Sequence, residues 1–262
     1  MGGKHVRLVS AYMRLNLAAA MEYRVSFLVQ MVGMALNDAL MLVFWWIYFT
    51  RFPQVGGWTL REVLMLFGLV AAAFGLAIVV FGNSVRLATL IVQGQLDYYL
   101  SMPRNTLLHI LVSRMGLAAW GDLSFGVLAL VLAGQFDLAT GGLACLLVAM
   151  STAIFVAFLV MVGSLAFFVG NAETAASQAQ GILVMFATYP GSVYHGWVRV
   201  LLFTAIPAAF VGHIPVDLLR EFDLLRLAAV AGFVLVIWVV ALCVFWWGLR
   251  RYESGNLVVL QG

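Results

Sequence analysis

"YPGSVYHGWVRVLLFTAIPAAFVGHIP", residues 189–215, decides how many times this chain crosses a bilayer. A crossing takes about 20 mostly apolar residues to span roughly 30 Å of hydrocarbon. The stretch is apolar enough to tempt that reading, but Pro190, Pro207 and Pro215 divide it. Proline removes a backbone donor and clashes with the preceding helical turn, so each piece between prolines is short. We read residues 195–212 as a helix that dips into the membrane and returns on the side it came from. Read as a crossing, the same stretch would give seven spans and place the two chain ends on opposite sides.

Outward from there, five stretches qualify readily as spans: 25–50, 62–83, 107–134, 142–170 and 224–249. Residues 175–190 supply a further one, fifth in chain order, ending at Pro190. The expectation is an all-α polytopic membrane protein, one domain over 1–262, with six transmembrane helices. Composition agrees: of 262 residues, 65% are hydrophobic and 10% charged, where soluble domains run near half and a quarter. The polar residues available cannot coat a water-facing surface.

Residues 1–24 do not read as a signal peptide, because Lys4, Arg7, Arg14 and Arg24 are spread through them. Leu8, Tyr12, Leu15 and Ala19 recur at helical spacing with Arg7 and Arg14 on another side. That pattern predicts an amphipathic helix on the membrane surface. With six spans and the N-terminus inside, nine of the 14 basic residues fall on cytoplasmic segments, a positive-inside bias. Trp45, Trp46, Tyr48, Trp58, Trp197, Trp246 and Trp247 sit near span ends, as an interfacial aromatic belt would.

Several chemistries are excluded. Lys4 is the single lysine and no G-x-x-x-x-G-K-[ST] surrounds it, so the chain carries no P-loop and binds no ATP of its own. His5, His109, His195 and His213 show no metal-ligand spacing. No G-x-S-x-G or S-x-x-K nucleophile occurs. Cys145 and Cys243 fall near opposite faces of the bilayer and are not expected to pair. Basic residues never cluster as a nucleic-acid surface requires. No catalytic, cofactor-binding or metal residue is assigned.

Charges at membrane depth are the candidates for function. Asn37 and Asp38 fall near the middle of the first span and Asp122 near the middle of the third. Such groups are costly there and face protein or water. They either line a transport path or fix helix packing. In "NAETAASQAQG", Glu173, Ser177 and Gln180 follow i, i+4, i+7 and share a face. A polar stripe on a membrane helix must meet a partner or a wet cavity. The same two readings stand for it.

The polar link "GQLDYYLSMPRN", residues 94–105, joins the second and third spans. Leu96, Tyr99 and Leu100 fall on one helical face, Asp97, Ser101 and Arg104 on another, and Pro103 ends the helix. A short helix of this kind fits a groove on a soluble protein. It is equally an ordinary loop with interfacial aromatics.

"GQLDYYLSMPRNTLLHILVSR", the 189–215 stretch and the ending "WWGLRRYESGN" resemble the membrane subunits of ABC-2-type transporters, a six-span bacterial subgroup near 260 residues long. Tyr189-Pro190, Tyr194, Trp197, Arg199, Pro207, Phe210 and Pro215 carry the most specific part. The resemblance implies a permease, usually an exporter, multi-pass in the cell (inner) membrane with both termini cytoplasmic. It implies two membrane subunits, identical or homologous, and two copies of a P-loop ATP-binding subunit holding ATP and Mg. It implies a coupling helix at about 93–104, with Gln95, Leu96, Asp97, Tyr99, Leu100 and Arg104 engaging that ATPase. The surface helix and the re-entrant segment match it as well. A largely apolar interior suits an amphipathic or hydrophobic substrate. The alternatives are a proton-coupled secondary transporter using Asp38 and Asp122, and a membrane scaffold or lipid enzyme.

Overall fold

The computed structural model describes residues 2–102, 105–134, 137–170, 172–191 and 194–252. Among them the regular structure is helical, apart from one bridge between Val55 and Trp58. The helices are α1 (Gly2–Glu22), α2 (Arg24–Arg51), α3 (Leu60–Val80), α4 (Leu87–Val92), α5 (Leu96–Leu100) and α6 (Thr106–Val112). They continue with α7 (Ala119–Ala133), α8 (Leu138–Gly163), α9 (Ala172–Thr188), α10 (Trp197–Thr204), α11 (Ile214–Arg220) and α12 (Leu224–Leu249). Four stretches are long and apolar enough to cross a membrane: α2, α3, Leu138–Phe167 and α12. α7 is apolar but shorter, at 15 residues, and α9 has 17.

α3 and α7 cross with their backbones almost in contact. A side chain at Gly68 would lie 2.8 Å from the Leu130 backbone nitrogen, and one at Gly75 would lie 2.5 Å from that of Leu123. Gly126 answers from α7 against Ala72. Small residues one turn apart allow this approach, which dispersion and packing then stabilise. Gly121, on another face of α7, meets the α2 backbone at Met31 and Ala35.

The stretch 107–134 was expected as one span, yet it is two helices, α6 and α7, broken over 113–118. The break lets the chain fold against the end of α3. The Gly116 N–H donates to the Ile78 carbonyl at 3.0 Å, and the Arg114 carbonyl presses on Gly82. Two glycines with no side chain to separate them make the contact possible.

α1 packs on the chain through part of the face that its spacing marks. Leu8 and Ala20 are buried and the Tyr12 hydroxyl meets His109 Nδ1 at 3.2 Å, whereas Leu15 and Ala19 stay exposed. The aromatic belt also divides. Trp46, Trp197, Trp246 and Trp247 are exposed, but Trp45 and Trp58 are buried. Trp45 packs against Phe49 and Tyr189, and Trp58 lies 5.8 Å beneath the Arg220 guanidinium. Cys145 and Cys243 are free and exposed.

Two contacts tie the described part of residues 189–220 to neighbouring helices. At the end of α9, the Tyr189 carbonyl bonds His213 Nε2 at 2.9 Å. At the end of α11, Arg220 pairs with Glu62 in the first turn of α3 at 2.8 Å. α10 has eight residues, about 12 Å of helix, too little to cross. Beyond Pro207 the chain is buried against α8, where Ser151 Oγ donates to the Val211 carbonyl at 2.8 Å.

Candidate functional site

α2, α3, α7 and α9 line an open cavity of about 800 Å³. Asn37 and Asp38 enter it from α2, Asp122 from α7 and Gln180 from α9. Four of the six residues singled out along the sequence therefore share one chamber. Glu173 and Ser177 are not among the residues lining it. Ser177 is exposed and donates to the Thr174 carbonyl at 2.9 Å, so the stripe reaches the cavity only at Gln180.

Asp38 and Asp122 face the same space from α2 and α7, and Asp38 Oδ2 is buried with no hydrogen-bond partner among the described residues. Asp122 is 5% exposed. The remaining walls are largely apolar and aromatic: Phe44, Phe67, Phe74, Met185 and Tyr189. These wall residues had not been singled out as lining. Phe67 and Phe74 lie in a run apolar on every side, which gives no hint of which face is hollow.

The second part of the site is the polar link between α4 and α6. α4 ends in a Schellman turn: Gln95 N–H bonds the Leu90 carbonyl at 2.9 Å and Gly94 N–H the Ile91 carbonyl at 3.2 Å. Gly94 has φ +69°, which a residue without a β-carbon adopts at little cost. The turn reduces the helix expected over 93–104 to the five residues of α5. Pro103 and Arg104 lie outside the described residues.

Leu96 is fully buried and Tyr99 half-buried, while Gln95, Asp97, Tyr98 and Leu100 are exposed. Leu100 thus parts from the inward face that its spacing suggested, and Tyr98 joins the outward one. Ser113 anchors the inward face. Its hydroxyl donates to the Ile110 carbonyl at 2.8 Å. Its lone pairs accept from Asn83 Nδ2 at 2.7 Å and from the Tyr99 hydroxyl at 3.0 Å. One proton and two lone pairs are all used.

The chain's last described residue closes this end. Tyr252 packs on Phe167 with ring centroids 6.1 Å apart, and its hydroxyl lies beside Gly94 and Asp97. Burial, then the Asp97 carboxylate, push its phenol up to about 12. Arg251 lies over the Trp247 and Phe168 rings, at 4.8 and 5.4 Å. α1, α5 and the residues after α12 therefore gather at one end, opposite the end that holds Glu62 and Arg220.

A family model described as an ABC-2 family transporter protein matches residues 35–255. The chain belongs to the ABC-2 transporter family. The match takes in both acids, the polar link and the whole 189–215 stretch, and leaves out α1 and the start of α2. No curated protein and no solved structure matches the chain. An ABC-2 permease is the membrane component of a transporter and works with a nucleotide-binding partner in general. Membership gives no support to the proton-coupled alternative.

Proposed function

We propose that this ABC-2 chain is the permease subunit of an ATP-driven exporter of an amphipathic or hydrophobic substrate. Six spans cross the cell (inner) membrane, with α1 on its surface, residues 195–212 re-entrant and both termini cytoplasmic. α6 with α7, and α9, complete the count. ATP and Mg are held by two copies of a separate P-loop subunit. A second membrane subunit, identical or homologous, completes the permease. The chamber holding Asn37, Asp38, Asp122 and Gln180 lines the path, and Glu173 and Ser177 extend it inward along α9.

The observation that carries this reading is the build of the polar link. Its outward face, where Tyr98 and Leu100 are exposed beside Asp97, suits a groove on the ATPase. Its inward face is fixed by Leu96, by the Ser113 hub and by Tyr252 at the end of the last helix. A push on α5 is thereby passed to α6 and α12, whereas a merely decorative loop would need no such attachments.

The test is the double substitution Asp97→Ala with Leu100→Ala in the purified complex. The expected result is loss of substrate-stimulated ATPase activity, or of the ATPase subunit on purification, with the membrane subunit still folded. Normal assembly together with normal coupling would remove the lever assignment.

A further inference from the structure

A second cavity, of about 550 Å³, lies below the chamber on the side that holds the chain ends. Gln30 of α2, Ile78 of α3 and the broken segment from Arg114 to Ala119 line it. It shares three residues with the chamber above: Met34, Phe74 and Asp122. Each comes from a different helix, so the two cavities are stacked and meet at a common wall.

The charges are ordered along this stack. Arg114 stands exposed at the inner mouth, and none of the ion pairs among the described residues involves it. The acid pair Asp122 and Asp38 stands at and beyond the wall. Between them the surface is apolar: Phe74, Ile78, Met115 and Leu117. A negative head would be held at the mouth by the guanidinium, and the acids at and beyond the wall offer it no cation. An apolar tail would lie on the surface between.

We propose that this inner cavity is a loading site for a single-chain amphipath with an anionic head, taken head-outward at Arg114. The site deepens the exporter reading, because it names the charge of the cargo and where it is first held. It also joins binding to the lever. Arg114 follows Ser113, whose hydroxyl holds Tyr99 of α5. A head drawn onto the guanidinium pulls on the residue next to the hub.

Trp120 makes the site measurable. Its Nε1–H donates to Met115 Sδ at 3.3 Å, and Met115 lines the cavity. The full chain is placed in zwitterionic nanodiscs without nucleotide or partner. Three single-chain amphipaths, brominated in the tail and bearing carboxylate, trimethylammonium or maltoside heads, are titrated in. The readout is the quenching that Trp120→Phe removes.

Saturable quenching by the carboxylate probe is expected, with affinity at least about tenfold above the other two heads. Arg114→Gln should lower that affinity about tenfold, Arg114→Lys should restore most of it, and Arg86→Gln should leave it unchanged. Equal quenching by all three heads, absence of saturation, or full affinity in Arg114→Gln would overturn the site. Should Arg114→Gln not fold, the head-group series on the unaltered chain decides alone. Because no ATP is present, failure here removes the loading site and leaves the lever standing. Failure of ATPase coupling does the reverse.

Discussion

α2 and α3 are both apolar helices long enough to span a membrane, yet they live in different surroundings. In the most apolar 18 residues of α3, 67% are buried within the chain; in those of α2, 6% are. α3 sits between α7 and α8 and approaches α7 backbone to backbone at Gly68 and Gly75. α2 touches the chain along one side at Gly121 and turns Leu36, Val43 and Ile47 outward. Hydropathy tells which segments leave water. It does not tell which meet protein, because lipid tails and leucine side chains are alike as solvents. α3 is the fixed post of the fold, and α2 is the wall free to face lipid or a second subunit.

The sharpest test sets two glycines against each other. Gly126→Leu forces a side chain into the Ala72 backbone and should cost about 3 kcal/mol or more, near or past the top of the usual overpacking range. Gly33→Leu in α2 meets nothing within 4 Å and should stay within about 0.5 kcal/mol of the parent. Thermal unfolding of the isolated chain in detergent measures both. Equal losses would mean that α2 is packed as α3 is, and the contrast would fail.

The Ser113 hub tests whether the fixed part extends to the chain-end side. Ser113→Ala leaves the Asn83 amide and Tyr99 hydroxyl without their acceptor and should cost about 1–3 kcal/mol. Tyr99→Phe removes one donor and should cost about 1 kcal/mol. If the tyrosine change costs more than the serine change, the network is not centred where the geometry places it.

At the other end, Arg220→Gln breaks the pair with Glu62, whose members are 39% and 16% exposed. An ion pair this open contributes about 1 kcal/mol or less, and high salt should erase the difference from the parent. A larger loss that salt does not change would assign the effect to the stacking over Trp58 instead.

The smallest effect is expected at the N-cap of α8. The Asp137 side chain accepts from Thr140 N–H at 2.8 Å and from the Thr140 hydroxyl. These bonds hold its carboxyl below the usual carboxylate value of 3.8. A carboxyl depressed in the folded state stabilises above its unfolded value and stops doing so as pH falls through the folded one. Asp137→Asn should therefore lower the melting temperature slightly at neutral pH. The gap to the parent should close in strong acid, well below pH 3.8. A gap that persists there would mean that shape, not charge, sets this cap.

Much of the fold was legible because it follows from local sums. The apolar runs gave α2, α3, α8 and α12, and the prolines of 189–215 gave a short helix where a seventh crossing was conceivable. The link near Leu96 stood out by its polarity. Other features were not legible. The helix expected over 93–104 shortened to α5, because Gly94 adopts a left-handed turn that propensity alone does not announce. Trp45 and Trp58 turned inward, since nearness to a span end fixes depth and not direction. Leu100 pointed out, because five residues make little more than one turn and their faces depend on what anchors Leu96.

Sequence by itself determined that this chain is built to leave water, which runs are long and apolar enough to cross a membrane, and to which family it belongs. Each of these depends on residues close together in the chain. Only the tertiary structure decided that Asp38 and Asp122 line one cavity, that Gln180 joins them while Glu173 and Ser177 do not, and that Tyr252 closes on the Gly94 turn. Those facts depend on how helices far apart in sequence are rotated against one another. That rotation is set by close contacts at Gly68, Gly75, Gly121 and Gly126, which no single segment contains.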